Sequence, residues 1–127
     1  MTQNRPVNIN LLKIKLPLSA FLSITHRISG MLIFFVVLPF SVFILSELTQ
    51  NQDSFDNFMN MYHSNLGIKF GCICLILVFQ YHIFTGIRHI LMDFHILNES
   101  LSSSYRSAVT TLVLFALNAL LTLWVML

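Results

Sequence analysis

Residues 30–46 read GMLIFFVVLPFSVFILS, a run without a single charged side chain. With the preceding turn, from about Ser23, it is long enough to cross the hydrocarbon core of a bilayer, which takes about 20 apolar residues as a helix. Pro39 lies inside it and predicts a kink, which a membrane helix tolerates when neighbours satisfy the freed carbonyl. A second run, GIKFGCICLILVFQYHIFTGIRHIL at 67–91, and a third, SAVTTLVLFALNALLTLWVML at 107–127, have similar length. The reading is an all-α membrane protein with three transmembrane helices, at about 23–46, 67–91 and 107–127. Residues 1–22, where Lys13 and Lys15 alternate with Leu and Ile between Pro6 and Pro17, are expected to form a short N-terminal interfacial arm. No internal repeat is visible.

The composition agrees. Of 127 residues, 56% are hydrophobic and 9% charged, against roughly 25% charged in soluble domains. Three spans consume half the chain, so a single membrane domain over 1–127 is expected, with no room for a separate soluble catalytic module. The net charge of +2 and the lack of a basic run give no support to nucleic-acid binding. Cys72 and Cys74 would point about 200° apart on a helix, so they read as apolar packing residues. Trp124 reads as an interfacial anchor.

Short basic segments set orientation. Arg5, Lys13, Lys15 and Arg27 precede the first span, and Arg88 and Arg106 flank the second connection. The first connection carries Glu47, Asp53 and Asp56, with Lys69 near its end. The N-terminus and second connection are expected on the cytoplasmic side, with the C-terminus on the periplasmic side. The amino-terminal stretch lacks the layout of a cleavable signal and suits a bacterial inner membrane.

His82 is the chemical centre of the sequence. Ionisable side chains inside a span are costly and by default mark function. Arg88, the first interface marker, is six residues away, which places His82 about 9 Å inside that boundary at about 1.5 Å per residue. An imidazole at that depth is expected to be neutral, because burial disfavours the charged ring. It either bonds a neighbouring helix carbonyl or offers a nitrogen to haem iron. Gly86, four residues on, would let a flat macrocycle approach the backbone. His89 follows His82 by seven residues on the same face, beside Arg88. His26 and Arg27 end the first span at the same level. This cationic layer either anchors the interface or meets haem propionates. Ser23 and Arg27, at i and i+4, share a face and can donate hydrogen bonds to a quinone carbonyl. His89 shares a helix with His82, so it cannot take the opposite face of the same iron. A partner chain would supply a second ligand. Phe79 and Tyr81 read as packing or lipid-facing groups, and His63 and His95 as solvated.

RPVN at 5–8, SITHRISG at 23–30 and HxxxGIRHxxxD from His82 to Asp93 occur together and in order. Over essentially the whole chain they resemble the cytochrome b membrane-anchor subunit of succinate dehydrogenase, respiratory complex II. The resemblance implies one haem b shared with a second three-helix anchor subunit, with His82 as an axial ligand and the partner supplying the other. It further implies quinone contacts from Ser23 and Arg27, and haem propionates near His26, Arg27 and His89. Asp93 and Glu99 are expected to deliver protons to the quinone. The partners implied are that second anchor, an iron–sulfur subunit and a flavoprotein subunit, in electron transfer from succinate to ubiquinone. A fumarate reductase anchor using menaquinol and a purely structural anchor are the rivals.

Overall fold

The computed structural model describes residues 16–97 and 100–127. Residues 1–15 of the expected arm, and Glu99, lie outside the described residues. Everything regular among the described residues is helical.

Helix α1, Leu18–Leu32, starts just after Pro17, whose fixed backbone angle suits a helix entry. It therefore begins ahead of the apolar run and takes in residues 18–22, which the sequence reading gave to the arm. The chain continues through a π-type turn at Ile33–Val37 into α2, Leu38–Gln50, with the Leu38 N–H reaching the Ile33 carbonyl five residues back. Pro39 explains the wide turn. A proline ring collides with the carbonyl four residues earlier, and one π turn is a common way for a helix to absorb such a break. The continuous span is 33 residues, Leu18–Gln50.

The polar connection from 47 to 66 is itself mostly helical. α3, Gln52–Ser64, is capped by Asn51, whose side chain accepts the Ser54 N–H at 2.8 Å. Phe55, Phe58, Met59 and Tyr62 follow the i, i+3, i+4, i+7 spacing of one helix face. That face lines an apolar groove of about 480 Å³ together with Ile44, Leu48 and Leu75 of α2 and of α4, Leu66–Asp93. Asn65 caps α4 by accepting the N–H groups of Gly67 and Ile68. At its far end, the Ile96 N–H bonds the Leu91 carbonyl and the His95 N–H bonds that of Met92. His95 has φ 57°. This is a Schellman stop with histidine in the left-handed position usually given to glycine.

α5, Leu101–Met126, begins earlier than the apolar run because Ser100 caps it, accepting the Ser103 N–H. The serine-rich patch thus forms its first turn. α4 is the central helix, packed against α1 on one side and α5 on the other. The buried apolar residues among those described are few: Leu22, Val37, Ile73 and Ala108. Phe34, Phe35, Leu117 and Trp124 all stand outward. Lipid tails are as apolar as leucine, so hydrophobic burial cannot drive such helices together, and interhelical hydrogen bonds and close packing must do so.

Candidate functional site

The polar side chains of α1 and α4 meet along one seam. Tyr81 and Thr25 are hydrogen-bonded through their hydroxyls. His82 Nδ1 lies 2.9 Å from Ser29 Oγ, and His26 Nδ1 lies 2.8 Å from Thr85 Oγ1. The His26 and His82 rings stack with centroids 4.1 Å apart and planes 11° from parallel. His89 completes the group, its ring 5.0 Å from that of His26. His26 and His89, which the sequence places at one level, and His82, which it places deeper in the span, are brought together, with His26 between the other two.

Giving each hydroxyl's single hydrogen to its own helix carbonyl assigns the donor on each bond. A hydroxyl has one hydrogen to donate. Ser29 Oγ donates to the His26 carbonyl at 2.7 Å. Thr85 Oγ1 donates to the Tyr81 carbonyl at 2.8 Å. Thr25 Oγ1 donates to the Phe21 carbonyl at 3.0 Å. Each hydroxyl then has only lone pairs left for its partner across the seam. Tyr81 O–H donates to Thr25, His82 Nδ1–H to Ser29, and His26 Nδ1–H to Thr85. The tautomer of a neutral imidazole follows: with the proton on Nδ1, the lone pair is on Nε2. His82 Nε2 takes no hydrogen bond among the described residues. A neutral imidazole with its N–H anchored and its other nitrogen bare is the form that ligates a metal, so the donor chemistry at His82 fits haem iron.

Two sequence expectations change. Gly86 does not leave its space to a macrocycle, because a Cβ there would lie 3.2 Å from His26 Cε1. The missing side chain makes room for a histidine ring. Arg88 does not join the histidine layer. It is 3% exposed and turns to α5, where Nε donates to Ser107 Oγ at 3.1 Å and Nη2 to the Ser104 carbonyl and Oγ, each at 3.2 Å. It fastens α4 to α5, as does Gln80, whose amide donates to Thr122 Oγ1 at 2.8 Å.

Ser23 and Arg27 sit one turn apart on α1, half-buried and exposed respectively. Asp93 is the last residue of α4 and exposed. Arg27, Arg88 and Asp93 all lie within electrostatic reach of His89. Reading the sequence missed Ser29, Thr25 and Thr85 as partners. The available signal was that each lies a whole number of turns from a ring-bearing residue on its own helix.

Fold and site together define a multi-pass membrane protein with a histidine cluster inside its helix seam. The chain belongs to the succinate dehydrogenase/fumarate reductase transmembrane subunit family, whose model matches residues 1–124. It is 37% identical over 93 residues to the succinate dehydrogenase cytochrome b556 subunit of Coxiella burnetii, covering 73% of this chain and 74% of that one. It is 34% identical over 122 residues to the succinate dehydrogenase cytochrome b560 subunit of Chondrus crispus, covering 93% and 91%. The cytochrome b560 subunit of Reclinomonas americana is 34% identical over 98 residues, covering 73% and 67%.

Proposed function

We propose that this chain anchors succinate dehydrogenase in the membrane, ligates one haem b through His82 and helps bind the ubiquinone that its complex reduces. The observation that carries the reading is the His82 imidazole, donating from Nδ1 to Ser29 and leaving Nε2 for iron. The names of the relatives support it, since each is a cytochrome b subunit of succinate dehydrogenase. They also favour succinate oxidation over the fumarate reduction that the family description equally covers.

In this reading a second three-helix anchor would supply the other histidine and close the pocket, while flavoprotein and iron–sulfur subunits would deliver electrons. Bound haem supplies a one-electron couple within the membrane. This chain's residues do the rest. His26, Arg27 and His89 would lie in the propionate region, with Arg27 and His89 as the donors, since the His26 N–H is committed to Thr85. Ser23 and Arg27 donate to a quinone carbonyl, which gains negative charge as the ring takes up electrons, and fixed donors at that oxygen favour the charged form. Ubiquinone becomes ubiquinol by gaining two electrons and two protons, and Asp93 and Glu99 pass protons inward from the cytoplasmic face. The N-terminus faces the cytoplasm of a bacterium and the C-terminus the periplasm.

The test is Arg27→Leu in the whole complex. Ubiquinone reduction should fall at least tenfold, while succinate oxidation by an artificial dye, which bypasses the quinone, should hold. Equal losses in both assays would refute the quinone role.

A further inference from the structure

The seam between α1 and α4 repeats one five-residue pattern. His26 is followed by Ser29 and Gly30; His82 is followed, at the same spacings, by Thr85 and Gly86. Each histidine uses Nδ1 to reach the other helix's hydroxyl, and each ring lies over the other helix's glycine. A Cβ at Gly30 would stand 3.2 Å from His82 Cε1, just as one at Gly86 would stand 3.2 Å from His26 Cε1. The two halves are reciprocal, and the stacked rings are their common centre. A ring held by a hydrogen bond on one edge and by a bare backbone beneath it has little freedom to turn.

We propose that Ser29 is a positioning residue for the haem ligand, holding His82 in the Nδ1–H tautomer and fixing the direction of Nε2. The proposal rests on the reading of His82 as ligand. It explains why the pattern contains a serine and a glycine after His26, neither of which the quinone or propionate roles require. Ser29 is buried, and its own proton is committed to the His26 carbonyl, so it can only accept from His82. Without that acceptor the proton is free to move to Nε2, the nitrogen needed by iron. With it, the Nδ1–H bond gives the ring partial imidazolate character, which raises its basicity as a ligand and favours ferric over ferrous iron. Outer-shell partners of this kind are worth roughly 10–100-fold in metal affinity.

The experiment uses the whole complex, with Ser29→Ala, the near-isosteric Ser29→Cys, Ser29→Thr and His82→Leu measured side by side. The readouts are haem retained per complex, low-temperature electron paramagnetic resonance of the ferric haem, and its midpoint potential. In Ser29→Ala and Ser29→Cys the ferrous-to-ferric ratio at a fixed applied potential should rise about tenfold, equivalent to about 59 mV for a one-electron couple, with altered ferric g-values. Ser29→Thr keeps the hydroxyl and should match the parent. Parent-like potential and g-values in the alanine or cysteine complex would overturn the proposal, as would a shift in Ser29→Thr as large as that in Ser29→Cys. The His82→Leu complex separates the two claims. If its haem signal is unchanged, the ligand reading itself fails; if that signal changes while Ser29→Cys stays parent-like, only the positioning role falls.

Discussion

Replacing Thr85 by valine keeps the volume of the side chain and removes one oxygen. Thr85 is 1% exposed, so the site cannot be rehydrated, and the isosteric change opens no cavity. Within the described structure the oxygen does two things. It donates to the Tyr81 carbonyl, which the α4 backbone also serves, and it accepts His26 Nδ1–H at 2.8 Å. Only the second loss strands a group. A stranded buried donor costs about 1–3 kcal/mol in soluble proteins. Two effects hold the figure down here: the imidazole can move its proton to the other nitrogen, and polar bonds between membrane helices average ~0.6 kcal/mol, reaching ~1.7. We therefore expect a coupling of about 1 kcal/mol between His26 and Thr85, near a fivefold change in the folded-to-unfolded ratio. The assay is a double-mutant cycle of Thr85→Val and His26→Leu, read by titrating the detergent-solubilised complex with dodecyl sulfate. The double variant should be less destabilised than the sum of the singles, because the valine strands nothing once the histidine is gone. Strict additivity within ~0.3 kcal/mol would refute the claim that this bond holds α1 to α4.

Three further expectations come from the packing around the helices. Gly30→Ala should disturb the haem spectrum and lower stability by about 1 kcal/mol, since the tight Cβ would displace the His82 ring and such overpacking costs roughly 1–3 kcal/mol, partly offset by alanine's helix propensity. Gly71→Ala, where a Cβ meets nothing within 4 Å, should be neutral or slightly stabilising in the same titration. Arg88→Met should loosen α4 from α5 by about 1.5 kcal/mol, near the upper end of the range for hydrogen bonds between membrane helices, while leaving the haem spectrum unchanged. A spectral change in Arg88→Met would instead place that guanidinium at the cofactor.

Much of this arrangement was legible in the sequence. Apolar runs of sufficient length define three crossings whatever the packing, because a bilayer accepts little else than a helix with its backbone satisfied. The seven-residue spacing of His82 and His89, with His26 at the same end of the first span, places the three on facing surfaces. Other parts were not legible, for particular reasons. Arg88 neighbours His89 in sequence, but successive residues on a helix diverge by about 100°, and its direction depended on where α5 packed. Ser29, Thr25 and Thr85 are small hydroxyls that serve equally well to bond their own helix carbonyls, so nothing local showed that each would also accept from a ring across the seam. Helix α3 was hidden by its polarity. Its apolar residues follow the helical period, but its Asn, Gln and Asp residues make the stretch read as a loop when hydrophobicity alone is weighed.

The central claim is that the imidazole of His82 carries the haem. The dithionite-reduced minus oxidised absorption spectrum of the purified complex, parent against His82→Leu, tests it most directly. A b-type haem band is expected in the parent and should be lost or shifted in the variant. An identical band in both complexes would contradict it.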